Sequence, residues 1–155
     1  MTDGTLASGR CHCGNLELTL ASPRPPERLP VRACACSFCR GHGARTTSDP
    51  DGRVSITVHA PELLSRYRFG MRTAEFLICA RCGAYLAAVL TVGGSLYATV
   101  NINALDCAAR FTQPPLTVTY EAETAAERVA RRVANWTPVV SIIDPIHASA
   151  ERRQP

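Results

Sequence analysis

Seven of the eight cysteines in this chain fall into three tight groups: Cys11/Cys13, Cys34/Cys36/Cys39 and Cys79/Cys82. Cysteine can fill a core as a small hydrophobe, but reactivity and metal binding usually decide its use. Thiols one or two residues apart converge naturally on one ion. Cys79-Ala80-Arg81-Cys82-Gly83 reads as a zinc knuckle, in which two residues between thiols and a following glycine let backbone amides point at the sulfurs. One knuckle supplies two ligands and needs a second pair, and Cys11/Cys13 is the obvious one. Four thiolates from Cys11, Cys13, Cys79 and Cys82 make a closed, structural zinc site.

Cys34-Ala35-Cys36-Ser37-Phe38-Cys39 supplies three ligands, one short of a closed site. Three protein ligands on Zn²⁺ leave a fourth position for water or substrate, the arrangement of a catalytic centre. Cys107 is the rival. If it completes the cluster, both sites are structural. Disulfides compete poorly, because C-x-C pairs close badly and a reducing setting disfavours them. Four-thiolate ligation alone does not exclude an iron–sulfur cluster.

Two neighbours of the cluster are candidate substrate contacts. Arg40 directly follows the third thiol and suits an anionic ligand, and His42 suits a proton shuttle or a ligand. The ordinary readings stand beside these: a solvated arginine and a polar loop histidine. Arg45 lies near in sequence, and Arg81 sits inside the knuckle. No Ser-His-Asp or Cys-His signature is present, and His12, His59 and His147 carry no role.

The elements that must position these groups are mostly strands. Residues 1–9 read as a loose arm. Leu16, Leu18 and Leu20 alternate with polar residues, as do Val54, Ile56 and Val58, so each run predicts a half-buried strand. Prolines around Ser22–Pro30 mark a loop, and the three-thiol cluster falls on a turn after it. Tyr67 and Phe69 suggest a strand ended by Gly70, and 73–79 another that runs into the knuckle. Residues 84–92 and 95–102 flank Gly93-Gly94 and predict a hairpin with a tight primed turn. After Pro114-Pro115, Leu116, Val118 and Tyr120 predict a final short strand. Then the period changes to helical over 124–135, with Thr124 and Glu127 at capping-box spacing. Ala122, Ala125, Ala126, Val129, Ala130, Val133 and Ala134 fall on one face, which predicts packing on the sheet, with a dimer contact as the alternative. Trp136 reads as a core anchor. The tail from about residue 148 is expected to be flexible.

The whole chain sets bounds. At 155 residues it is long enough for one domain with a real core, expected over about 9–120 with the helix behind it. Aromatics make up 6%, so that core must be mainly aliphatic. A net charge of +4 falls to about +1 once seven thiolates bind two Zn²⁺, so basicity is weak evidence for nucleic-acid binding. Arg128, Arg131 and Arg132 are interleaved with Glu121, Glu123 and Glu127, without an aromatic platform, which argues mildly against it. No leader or membrane span appears, so a cytoplasmic setting is expected.

Four stretches resemble one family. They are Gly9-Arg10-Cys11-His12-Cys13-Gly14, Cys34 through Arg40, Phe76 through Gly83, and Val100-Asn101-Ile102-Asn103-Ala104-Leu105-Asp106. Together they are similar to the glutathione-dependent formaldehyde-activating enzymes, a family that also includes centromere protein V, over roughly residues 9–107. The resemblance implies a mainly β fold, the β-tent of small antiparallel sheets, with two Zn²⁺ per chain. It implies that Cys11, Cys13, Cys79 and Cys82 hold the structural zinc, that Cys34, Cys36 and Cys39 hold the catalytic one, and that Cys107 is free. It implies a carbon–sulfur lyase that forms S-(hydroxymethyl)glutathione from glutathione and formaldehyde. The segment after Asp106 departs from the family pattern, and that end often walls the site. Two other functions compete: a module with two structural zincs that contacts a protein or nucleic acid, and a thiol redox or zinc sensor.

Overall fold

The computed structural model describes residues 4–143, so the expected flexible tail and His147 lie outside the described residues. Among the described residues there are eleven strands: β1 (Thr5–Arg10), β2 (Leu16–Ser22), β3 (Arg32–Cys34), β4 (Thr46–Thr47), β5 (Arg53–Val58), β6 (Leu64–Tyr67), β7 (Glu75–Cys79), β8 (Tyr85–Val92), β9 (Ser95–Asn101), β10 (Leu116–Val118) and β11 (Thr137–Ile143). A one-turn helix α1 (Ser37–Gly41) follows β3, and the main helix α2 (Ala125–Asn135) precedes β11. The fold is thus mainly β with one substantial helix near the C-terminus, as the pattern predicts.

The strands join in the order β1-β2-β5-β11-β9-β4-β3-β10, with β6-β7-β8 added beside β9. Most neighbours are antiparallel, but β3 with β10 and β5 with β11 run parallel. The β8–β9 hairpin closes at Val92 opposite Ser95, and Gly93 and Gly94 both take positive φ (55° and 81°), as a primed turn requires.

Alternation decides which faces are buried. Leu16, Leu18 and Leu20 on β2 and Val54, Ile56 and Val58 on β5 all point into the main aliphatic core. The stretch from Tyr85 to Leu90 on β8 is buried on both faces. Leu86 and Val89 join the main core, whereas Ala88 and Leu90 join a second cluster with Ala74 and Trp136. Strand β8 therefore stands between the main core and whatever lies beyond it.

Three expectations change. The N-terminal arm is not loose: residues 5–10 form β1, paired along its whole length with β2. Gly9 bridges Leu105, and a Cβ at Gly9 would meet the Ala104 carbonyl oxygen at 2.5 Å, so only glycine fits this crossing. The strand at Leu116 is not the last. Strand β11 follows α2 and pairs with both β5 and β9, which joins the two halves of the sheet. The helix is rotated from the predicted facing: Val129 and Val133 of the apolar face pack on the Trp136 cluster as expected, but Ala125, Ala126, Ala130 and Ala134 face solvent and Arg132 is buried in their place. Alanine methyls contribute little when buried, about 0.8 kcal/mol each. The long arginine stems cover more surface and bring charged heads with them.

Gly9→Ala should lower the unfolding free energy in urea by about 1–3 kcal/mol, because the added methyl overpacks a backbone crossing. The exposed neighbour Ser8→Ala should change it by less than about 0.5 kcal/mol.

Candidate metal centre and its cavity

The Sγ atoms of Cys11, Cys13, Cys79 and Cys82 all lie within 4.8 Å of one another. Two similar turns bring them there. In the first, Cys11 donates to Leu16 O and accepts from Gly14 N; in the second, Cys79 donates to Ala84 O and accepts from Gly83 N. Gly14 and Gly83 sit at φ 84° and 78°, which lets each turn close beneath its sulfurs. The Leu16 amide donates to Cys11 Sγ at 3.2 Å. Burial pushes the Cys11 thiol up to about 11. Burial also opposes ionisation of Cys82, but backbone amides of Ala84 and Cys13 and the thiols of Cys79 and Cys11 bring it down to about 6. Such a split is what close thiols show when one negative charge must be shared.

The Sγ atoms of Cys34, Cys36 and Cys39 form a second group within 4.8 Å. Cys34 ends β3, which is held by its parallel pairing to β10, and Ala35 N donates to Val118 O. Cys36 caps α1, its Sγ accepting from Cys39 N at 3.4 Å. The cluster thus spans a strand end and a helical turn, where the sequence pattern predicts only a turn. A hydrogen bond from Cys39 draws Cys34 down to about 5, while Cys39, the donor and itself buried, is pushed up. The donor set fits a soft divalent cation such as Zn²⁺: three sulfurs converge, and their mutual repulsion in the ionised state is what a cation relieves.

Cys34, Cys36 and Cys39 line a cavity of about 340 Å³. Tyr85 and Ala88 of β8 and Thr99 of β9 form its floor, with Phe69, Phe76 and Trp136 as aromatic walls. Helix α2 covers it. Its capping box is complete, with Glu127 N donating to Thr124 Oγ1 and Thr124 N donating to Glu127 Oε2. That start fixes the helical phase and directs Arg128, Arg131 and Arg132 to the cavity, joined by Arg32 from β3. Arg131 makes a two-pronged contact with Glu123 (2.7 and 3.1 Å) and lies 3.4 Å over the Tyr120 ring. Arg128 donates to Tyr120 O at 2.7 Å and lies 3.5 Å from Glu123. The Arg131 hydrogen bond holds the Glu123 carboxyl below its usual range.

The predicted site residues fall into place unevenly. Arg40 and His42 are exposed and do not line the cavity; the His42 ring packs 4.4 Å from that of Phe38. Cys107 is half-buried against the main core and belongs to neither thiol group. Arg32, Arg128, Arg131, Arg132 and Tyr85 were not singled out from sequence. The signal for the helix was present: positions 128, 131 and 132 share a face at i, i+3, i+4 spacing. The alanine stripe opposite drew the inward assignment instead.

Cys107→Ala should leave the metal content per chain unchanged when measured by elemental mass spectrometry, since its sulfur is outside both groups.

Residues 6–122 match the family described as glutathione-dependent formaldehyde-activating enzyme. A Halomonas elongata protein with the provisional name "glutathione-dependent formaldehyde-activating enzyme" is 32% identical over 91 residues, which are 52% of this chain and 54% of that one. The chain thus spans about half the length of the curated relative it matches. A crystal structure of a Rhodobacter sphaeroides protein is 31% identical and covers 72% of this chain and 99% of its own, with a TM-score of 0.49. With the family match extending over most of the chain and containing both thiol groups, the chain belongs to the glutathione-dependent formaldehyde-activating enzyme family.

Proposed function

We propose that this chain is a zinc-dependent enzyme of thiol–aldehyde chemistry, of the carbon–sulfur lyase type, adding a thiol such as glutathione to formaldehyde. One observation carries the reading: of the two thiol groups, only Cys34, Cys36 and Cys39 open onto the cavity. The four-thiol group has a full set of donors for a closed ion and sits against the main core.

A Zn²⁺ held by Cys34, Cys36 and Cys39 supplies Lewis acidity and a positive charge that favours an incoming thiolate. The chain's own residues do the rest. Strand β8 and the aromatic walls exclude water and confine the reactants, which raises their effective concentration. The thiolate sulfur attacks the formaldehyde carbon; a carbon–sulfur bond forms, the carbonyl π pair moves to oxygen, and that oxygen takes a proton. The proton lost by the thiol balances it, so thiol plus formaldehyde gives the S-hydroxymethyl adduct with nothing oxidised. No protein nucleophile is needed. The arginines around the cavity suit an anionic thiol.

Cys36→Ser should stay folded and lose about one of about two zinc ions per chain, whereas Cys82→Ser should unfold, as the loss of a closed structural site requires. Circular dichroism and metal content read this together. Adduct formation from glutathione and formaldehyde, followed by NMR against the uncatalysed rate, should be accelerated by the wild type and not by Cys36→Ser. Identical unfolding of both variants would remove the distinction between a closed and an open site.

A further inference from the structure

We infer that Arg32 and Arg132 form a carboxylate-binding subsite beside the three-thiol cluster, which selects thiols bearing a carboxylate over neutral thiols of the same length. This rests on reading the cluster as the place of the thiol.

The four arginines at the cavity are not equivalent. Arg128 and Arg131 share Glu123. Arg32 and Arg132 have no carboxylate partner among the described residues. Arg132 is 9% exposed, lies 4.9 Å over the Trp136 ring and gives one hydrogen bond, from Nη1 to Thr73 Oγ1. Its Nε is buried without a hydrogen-bond partner. Arg32 is half-buried and gives one hydrogen bond, from Nη1 to Ser48 Oγ at 3.0 Å. Glu121 also lines the cavity but is exposed.

A guanidinium withdrawn from water without a counter-ion is half of an ion pair, and a ligand anion supplies the other half. The planar fork of arginine matches a carboxylate in two-pronged fashion, which a lysine would not. Both unpaired arginines line the same cavity as the three thiols, so one small molecule can present sulfur to the cluster and a carboxylate to the arginines. At about 340 Å³ the cavity is at the small end of ligand pockets, which keeps those two ends close together. Helix α2 begins at Ala125, beyond the family match at residue 122, so Arg132 is a feature of this chain's own C-terminal part.

Isothermal titration calorimetry of the zinc-loaded protein with 3-mercaptopropionate and with neutral 3-mercaptopropanol tests this. The carboxylate thiol should bind at least about tenfold more tightly. Arg132→Gln and Arg32→Gln should each reduce that preference, Arg132→Lys should restore part of it, and the exposed Arg53→Gln should leave it intact. Propionate should compete with 3-mercaptopropionate in the wild type and fail to do so in Arg32→Gln. Should Arg132→Gln not fold, the wild-type comparison and Arg32→Gln decide the matter. Equal binding of the two thiols would overturn the subsite while leaving the thiol–aldehyde reading standing. A preference that survives in Arg32→Gln would also overturn it, since the carboxylate would then be going to the metal. An arginine-dependent preference with no acceleration of adduct formation would uphold the subsite and sink the proposed reaction.

Discussion

Three sulfurs held within 4.8 Å of one another cannot all be negative without a cation among them. The hydrogen bond between Cys39 and Cys34 draws Cys34 down and pushes Cys39 up. The rest of the molecule is arranged to keep that unfavourable cluster together and leave one side of it open. Strand β3 is fastened on one side by β10 and continues into α1, so three thiols close in sequence become fixed in space. The four-thiol group obeys the same electrostatics but is closed by two glycine turns that draw distant parts of the chain together.

The cavity follows from two further constraints. Strand β8 is buried on both faces, so one side serves the aliphatic core and the other can floor a pocket. Helix α2 covers that pocket with arginine rather than alanine. A cover made of guanidinium groups costs desolvation, which the pair with Glu123 offsets for two of the three helix arginines. Arg132 keeps its charge at neutral pH, because burial lowers it only to about 10.

The parts legible in the sequence were those encoded locally. Thiol spacing pointed to both thiol groups, period-two alternation to β2 and β5, Gly93-Gly94 to the hairpin, and Thr124 with Glu127 to the start of α2. What sequence could not supply depended on distant partners. Residues 5–10 look polar and weak alone and become a strand because β2 offers a full ladder of partners. Residues 137–143 become β11 because β5 and β9 leave a place between them. The facing of α2 turned on Thr73, Tyr120 and Trp136, none of which hydropathy weighs against a row of alanines.

The most direct test of the open thiol centre is the absorption spectrum of the Co²⁺-substituted protein during titration with 3-mercaptopropionate. An open three-thiol site predicts growth of the sulfur-to-cobalt charge-transfer band by about one thiolate per chain, and no growth in Cys36→Ser. A wild-type spectrum unchanged by saturating thiol would show that no coordination position is open to substrate, and would contradict it.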